Sequence, residues 1–304
     1  MKKIIKQNKL LCLLILSLLI AGLIVVIKWQ FDYQNYVKQY EDAIHYMANH
    51  EDKYIEYLTN GFYNLEYVPS KPDALSLFIY LTWDSFLWTF NWIMPLTIIV
   101  ISSLKLSRHL RTGYVKNILT RQSYKEYITK IIGKAWMSSL IIPLFWLYFL
   151  FLCYLVTGNF QLNPNGYCAT FISNITIDVW KLVCMYFIYL VIHSAFCTNL
   201  AIIFTKKKRD FIVSSILAYI VFLIVNYYYS VIVWYAVDSY LFSNNYLPSY
   251  NIIANFSVMA QDFLMSGGGY LISLIIIITS FLLSFLGVML MYGNKEKVMI
   301  ESET

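Results

Sequence analysis

Six stretches of the chain carry almost no charge: 10–27, 86–104, 135–157, 182–205, 211–237 and 270–292. About 20 apolar residues in a helix cross a hydrocarbon core of roughly 30 Å. Lipid offers backbone groups no hydrogen-bond partners, so each stretch is expected to be a helix that satisfies its own backbone. The pattern predicts an all-α integral membrane protein with a six-helix transmembrane bundle. The first run follows Lys2, Lys3, Lys6 and Lys9, as the core of a signal peptide would. Its apolar core is long for one, and no small-x-small cleavage site precedes Lys28, so a retained first span is expected.

The segments between the runs have patterns of their own. After the first run, Tyr33, Tyr36, Val37, Tyr40, Ile44 and Met47 recur every three or four residues, which marks one apolar helix face. Ile55 and Leu58 continue it beyond the polar break at 49–52. Gly61 suits a helix stop, and Pro69 and Pro72 mark an extended stretch leading to the second run. Segment 28–85 therefore reads as a small helical subdomain outside the bilayer. Its tyrosines are expected to pack and to anchor at the interface, where Tyr is enriched, ahead of forming a substrate surface.

Between the second and third runs, Leu106, Leu110, Tyr114, Ile118 and Leu119 share one helical face, with Arg108, Arg111 and Lys116 elsewhere. This predicts a basic amphipathic helix over 106–119, lying on the membrane surface or docking in a groove. A break follows at 120–122. Ser123 and Glu126 then have capping-box spacing and start a helix whose Tyr127, Ile128, Ile131 and Ile132 lead into the third run. Pro95 and Pro143 predict kinks within runs two and three. Segment 158–177, with Gly158, Pro164 and Gly166, is turn-rich, and 206–210 is a tight turn. Segment 238–269 lacks Lys and Arg and ends in Gly267, Gly268 and Gly269, which suggests one or two short interfacial helices. The resulting layout is 1–27 (tail and span one), 28–85 (outer subdomain), 86–157 (spans two and three), 158–237 (spans four and five) and 238–304 (outer interfacial helices, span six and tail).

Composition agrees with a lipid-facing chain. Of 304 residues 59% are hydrophobic and 13% charged, against about 25% charged in an ordinary soluble domain. Charge also orients the spans. The tail, segment 105–134, cluster 206–209 and the C-terminal tail hold eighteen of the 23 Lys and Arg, while twelve of the 17 Asp and Glu lie in the other segments. The positive-inside rule then puts both termini in the cytoplasm of a multi-pass cell-membrane protein. Basic loops beside spans account for the net charge of +6, so it does not indicate nucleic-acid binding.

Candidate chemistry is sparse. There is no G-x-x-x-x-G-K-[ST] phosphate loop and no H-E-x-x-H metal motif. His45 and His50 stand five apart, off one helical face. Cys12, Cys153, Cys184 and Cys197 fall in apolar runs as small hydrophobes; Cys168 lies in a loop, which leaves a Cys153–Cys168 bridge open. Polar residues in or beside the runs are functional candidates by default. They are Asp178 and Lys181, spaced to pair on one helix face, and His193, Asn199 and Asn226, which together form a candidate substrate path. Carboxylates near the runs are limited to Asp84 and Asp178, which argues against a pump driven by its own proton relay.

The layout, together with the stretch from Gly113 through Tyr114, Ile118, Leu119, Arg121 and Ser123 to Tyr127, Lys130 and Lys134, resembles the permease subunit of bacterial ABC exporters of the ABC-2 type. As topology the resemblance covers the whole chain; at residue level it rests on this segment. Two departures stand out: no acidic residue precedes Gly113, and Arg121 occupies the place where family members commonly have Pro. The resemblance implies a coupling helix at 106–119, with Leu110, Gly113, Tyr114, Ile118, Leu119 and Arg121 seated on a cytoplasmic ATPase dimer. It implies a second permease chain, identical or different, and a peptide, lipid-like or drug-like substrate. ATP and Mg²⁺ would be bound by the ATPase, so this chain would need no cofactor and would not itself be an enzyme. Size, outer segment and basic tail are similar to permeases of Gram-positive peptide or bacteriocin export and immunity systems. The competing reading is a stand-alone membrane immunity or sensor protein that holds an extracellular peptide on its Tyr-rich helix. A membrane enzyme lacks the acid, base and metal clusters it would need.

Overall fold

The computed structural model describes residues 9–48, 70–82, 85–111, 123–162, 178–208, 210–233 and 270–293. Every long element is an α-helix: α1 (Lys9–Ala48), α2 (Ala74–Thr82), α3 (Ser85–Arg111), α4 (Tyr124–Trp136), α5 (Ile141–Thr157), α6 (Val179–Lys208), α7 (Phe211–Tyr227) and α8 (Tyr270–Tyr292). Among the described residues, five helical stretches are long and apolar enough to cross a membrane: Ile15–His45, Tyr124–Thr157, Val179–Lys207, Phe211–Val233 and Leu271–Tyr292. Helix α3, 27 residues long, contains the apolar run 86–104. The protein is an all-α bundle of several long apolar helices, a multi-span membrane protein.

Helix α6 is the axis. It packs on α3, α7 and α8, and 61% of its apolar window is buried, against 11–33% in the other four spans. Its hydroxyls make this burial tolerable. Ser194, Thr198 and Thr205 each donate to the carbonyl four residues back, at 2.7–2.9 Å, so they ask nothing of neighbouring helices. Across the bundle, large aromatic side chains fill the core: Phe78, Trp146, Phe149 and Tyr186 meet at ring-centroid distances of 5.7–6.2 Å. Spacing of this kind adds edge-on aromatic attraction to plain packing.

Local sequence signals set the helix ends. Asp210 caps α7, its Oδ1 accepting from the backbone N–H of Ile212 at 2.9 Å and Val213 at 3.2 Å; Lys206–Lys208, expected in a tight turn, belong instead to the end of α6. Gly158 ends α5 at φ 81° and donates its N–H to Tyr154 O, a left-handed stop that a residue without Cβ makes at no steric cost. Pro143 has no N–H to offer the Ser139 carbonyl. The chain there tightens into a 3₁₀ turn, Met137–Leu140, between α4 and α5. Pro95 sits within α3, which runs unbroken on both sides of it. Past α7 the chain winds into a π-helical turn at Tyr228–Val233.

Two features depart from the sequence expectation. Helix α1 continues without interruption through Lys28 to Ala48. The Tyr-lined face is thus an extension of the first span, with Tyr33 stacked on Trp29 at 5.3 Å and Tyr40 buried. Second, 71–73 is non-helical, as Pro72 suggests, but the next nine residues form α2. Eight of the nine are buried, Phe78 against Trp146 and Tyr186 in the main core. A helix apolar all round is expected to be buried all round, and at roughly 14 Å it is too short to span. Cys153 is fully buried on α5, and Cys168, its candidate bridge partner, lies outside the described residues. The positions expected to continue the outer helix beyond Ala48, and segment 238–269, lie outside the described residues.

Helix α2 starts on a buried carboxylate. Asp73 is 0% exposed; its Oδ1 accepts from Leu75 N at 3.0 Å and Ser76 N at 2.9 Å, and its Oδ2 from Ser76 Oγ. Asp73→Ala is expected to cost about 1–2 kcal/mol, since cap loss alone reaches that size, and to lower the melting midpoint in detergent. Asp73→Asn keeps an acceptor and should recover most of the loss. An alanine variant that melts with the wild type would refute the cap.

Candidate functional site

The basic end of the bundle holds the C-terminal turns of α3, α6 and α8 and the start of α4. Helix α4 begins where Ser123, in extended conformation (φ −64°, ψ 144°), accepts from Glu126 N–H at 3.3 Å. Glu126 lies in the first turn and Lys134 in the last, each at the pole of the helix dipole that suits its charge. The helix is amphipathic. Tyr127, Ile128, Ile131 and Ala135 are buried, while Lys125, Glu126, Lys130 and Lys134 are exposed. Its apolar face joins Leu106, Ile202, Val288 and Tyr292 in a second hydrophobic cluster, separate from the main core.

Directional bonds tie this cluster together. Trp136 Nε1 donates to Asn199 Oδ1 at 3.0 Å, and Asn199 Nδ2 donates to Ser284 Oγ at 3.1 Å, which donates onward to Phe281 O. One amide thus links α4, α6 and α8, and the Trp136 ring also packs on Phe281 and Phe285. Nearer the end, Tyr124 Oη donates to Tyr292 O at 2.8 Å and Lys206 Nζ to Met291 O. The Lys206 ammonium lies 5.2 Å from the centre of the Tyr292 ring, and Tyr292 Oη donates to Ile202 O. The last carbonyls of a helix have no partner of their own, so those of α8 are met by side chains of α4 and α6. Ser102 Oγ and Ser138 Oγ, 2.8 Å apart, join α3 to the 3₁₀ turn after α4.

The sequence-predicted residues distribute as follows. Leu110 is half-buried and packs against the second cluster. Gly113, Tyr114, Ile118, Leu119 and Arg121 lie outside the described residues. Up to Arg111, the stretch expected to open a separate surface helix is instead the continuation of α3, because the apolar face of Leu106 and Leu110 stays in register with the span. Asp178 does not pair with Lys181; its Oδ1 accepts from Trp180 N at 3.1 Å, both residues are exposed, and the carboxylate serves as the start of α6. His193 is buried, stacked on Tyr189 and edge-on to Phe222, and neither ring nitrogen has a hydrogen-bond partner among the described residues. Asn199 is structural glue. Asn226, half-buried on α7, has its carbonyl bonded by Ser230 Oγ. The five candidates of the substrate path are thus spread along α6 and α7 and do not gather around one pocket. His45 lies exposed on α1, and His50 is outside the described residues.

Sequence reasoning missed Trp136, Ser284, Tyr124, Lys206 and Tyr292 as a set. Each is unremarkable where it stands, a serine or aromatic within an apolar run or a lysine in a basic turn. Only Asn199, a primary amide that hydrocarbon cannot satisfy, signalled that partners had to exist. What the arrangement does is mechanical: it ties α4, α6 and α8 to one another. No protein-family model matches the sequence, and no curated protein or solved structure matches it either.

The Trp136–Asn199 bond predicts coupling between the two positions. In a double-mutant cycle of Trp136→Phe and Asn199→Leu in detergent, the double variant should lose less stability than the two singles added, by about 0.6–1.7 kcal/mol, the range of inter-helix bonds in membranes. Strict additivity would mean the bond contributes nothing.

Proposed function

We propose that the chain is the transmembrane permease subunit of an ABC exporter of the ABC-2 type. It would move a peptide, lipid-like or drug-like substrate with energy from ATP hydrolysed, with Mg²⁺, on a separate cytoplasmic ATPase dimer. It would act beside a second permease chain, with both of its own termini in the cytoplasm. The observation that carries this reading is the construction of the basic end. Segment 105–134 holds eight Lys and Arg and one acidic residue, Glu126. It leads into α4, which is bonded to α6 and α8 through Trp136, Asn199, Ser284, Tyr124 and Tyr292.

This supplies what a motor-driven permease needs. A push delivered at 106–121 would reach α4 through the capped turn at Ser123. Bonds with direction would then pass it to the central helix instead of dissipating it in side-chain slip. Packed elements of this kind shift as units, since close-packed interiors favour discrete arrangements over continuous deformation. The reading assigns the chain no catalytic residue.

The alternative, a stand-alone immunity or sensor protein, draws on the extension of α1 beyond the first apolar run, with its Tyr33, Tyr36 and Tyr40. The two readings part on partner dependence. Ile118→Asp with Leu119→Asp is expected to abolish copurification of an ATPase encoded beside this chain, while the variant still inserts and melts normally. ATPase association that survives the double change would sink the coupling role. Peptide protection by the chain expressed alone, with no ATPase present, would favour the alternative.

A further inference from the structure

Where α3 leaves the apolar run 86–104 and α4 turns toward α5, the two helices leave a crevice of about 300 Å³. Lys105, Leu106, Ile131, Lys134, Ala135 and Met137 line it. Two lysines thus stand over a wall that is otherwise apolar. Segment 105–134 offers them little neutralisation, since Glu126 is its only carboxylate against eight Lys and Arg, and Glu126 sits two turns of α4 away from Lys134. Lys105 is half-buried, and loss of water holds its pKa below the ordinary lysine value. An anion entering the crevice would oppose that shift.

The crevice also opens onto a track. From Met137, through the 3₁₀ turn and along α5, the side chains Leu140, Leu144 and Leu147 are exposed, Met137 and Leu144 by more than 60%. Their spacing of three and four residues keeps them on one helix face. Met137 to Leu147 covers roughly 15 Å of helix, half of a hydrocarbon core about 30 Å thick. A cationic crevice at one end of an apolar track one leaflet long matches a molecule with an anionic head and an acyl tail.

We propose that this crevice binds the headgroup of an anionic phospholipid between Lys105 and Lys134, with an acyl chain laid along Met137, Leu140, Leu144 and Leu147. The phosphate accepts from both ammonium groups, and the tail supplies contact that a free anion lacks. The assignment goes beyond the permease reading and does not rest on it: the site needs a membrane and no ATPase. Basic pockets between spans are the recognised setting for anionic headgroups, since each Lys or Arg near a lipid surface contributes on the order of 1 kcal/mol.

The test uses the full chain purified in an uncharged detergent, titrated with dioleoyl phosphatidylglycerol, dioleoyl phosphatidylcholine or soluble glycerol phosphate, with bound lipid counted by native mass spectrometry. The wild type should bind phosphatidylglycerol about tenfold or more over phosphatidylcholine, and glycerol phosphate only weakly. Lys105→Gln with Lys134→Gln should weaken phosphatidylglycerol by about 30-fold, the product of two lysines, and leave phosphatidylcholine unchanged. Lys125→Gln with Lys207→Gln, exposed lysines away from the crevice, removes the same charge and should change binding by less than about twofold, a bound set by screening at exposed sites. Should the double variant fail to fold, Lys134→Gln alone, at an exposed position, is expected to lose about fivefold. Equal binding of the two lipids by the wild type, an equal loss in the control variant, or glycerol phosphate binding as tightly as the lipid would each overturn the assignment. Tighter binding of a poly-glutamate peptide than of phosphatidylglycerol would also overturn it, and would point to an acidic protein surface.

Discussion

A primary amide buried among apolar helices has nowhere to turn for water, and Asn199 meets that constraint by using both ends of its side chain at once. Its oxygen takes the indole proton of Trp136 and its nitrogen reaches Ser284. The surrounding hydroxyls of α6 face the same problem and solve it locally, by bonding back to their own helix. The difference decides the architecture. Self-satisfied hydroxyls let α6 be buried on many sides without fixing its neighbours, while one amide that cannot be satisfied within its helix fixes which residues of α4 and α8 must stand beside it.

The terminal bonds follow from a second shortage. The last carbonyls of α8 would face a low-dielectric boundary unpaired, and Tyr124 and Lys206 reach them from two other helices. Lys206 does this with an aliphatic stem lying along apolar surface and a charged head aimed at polar groups, the usual habit of long cations at a membrane boundary. At least one basic residue at this end, Lys206, closes a helix end by its position.

Much of the helix plan was legible in the sequence. Uncharged runs near 20 residues long have few structural outcomes, and the runs 135–157, 182–205 and 270–292 match observed helices closely. Ser123, Asp210 and Gly158 act at helix ends as their chemistry suggests. Two things were hidden. The charges from Lys28 onward do not end the helix; the periodicity of Tyr33 to Met47 announced a helical face, but nothing in the pattern joined it to the first run. Helix α2 is a short apolar run behind two prolines, and its burial depends on Trp146 and Tyr186, far away in sequence. The candidate site was half legible: Asn199 announced a need for partners, and nothing in the spacing of Trp136 or Ser284 named them.

The unbroken course of α1 has a mechanical consequence. Forty residues of helix measure about 60 Å, roughly twice the thickness of the hydrocarbon it crosses. A rod of that kind is a lever whose fulcrum is the bilayer. A tilt of about 10° in the membrane carries the far tip through roughly 5 Å, on the geometry of a straight helix, and a force applied at the tip returns to the bundle with the same leverage. Gly22 lets this rod lie close against Phe145, Tyr148 and Phe149 of α5, and Tyr148 Oη bonds to its Leu19 carbonyl. The rod is therefore held near the middle of its apolar part by α5, the helix that follows α4.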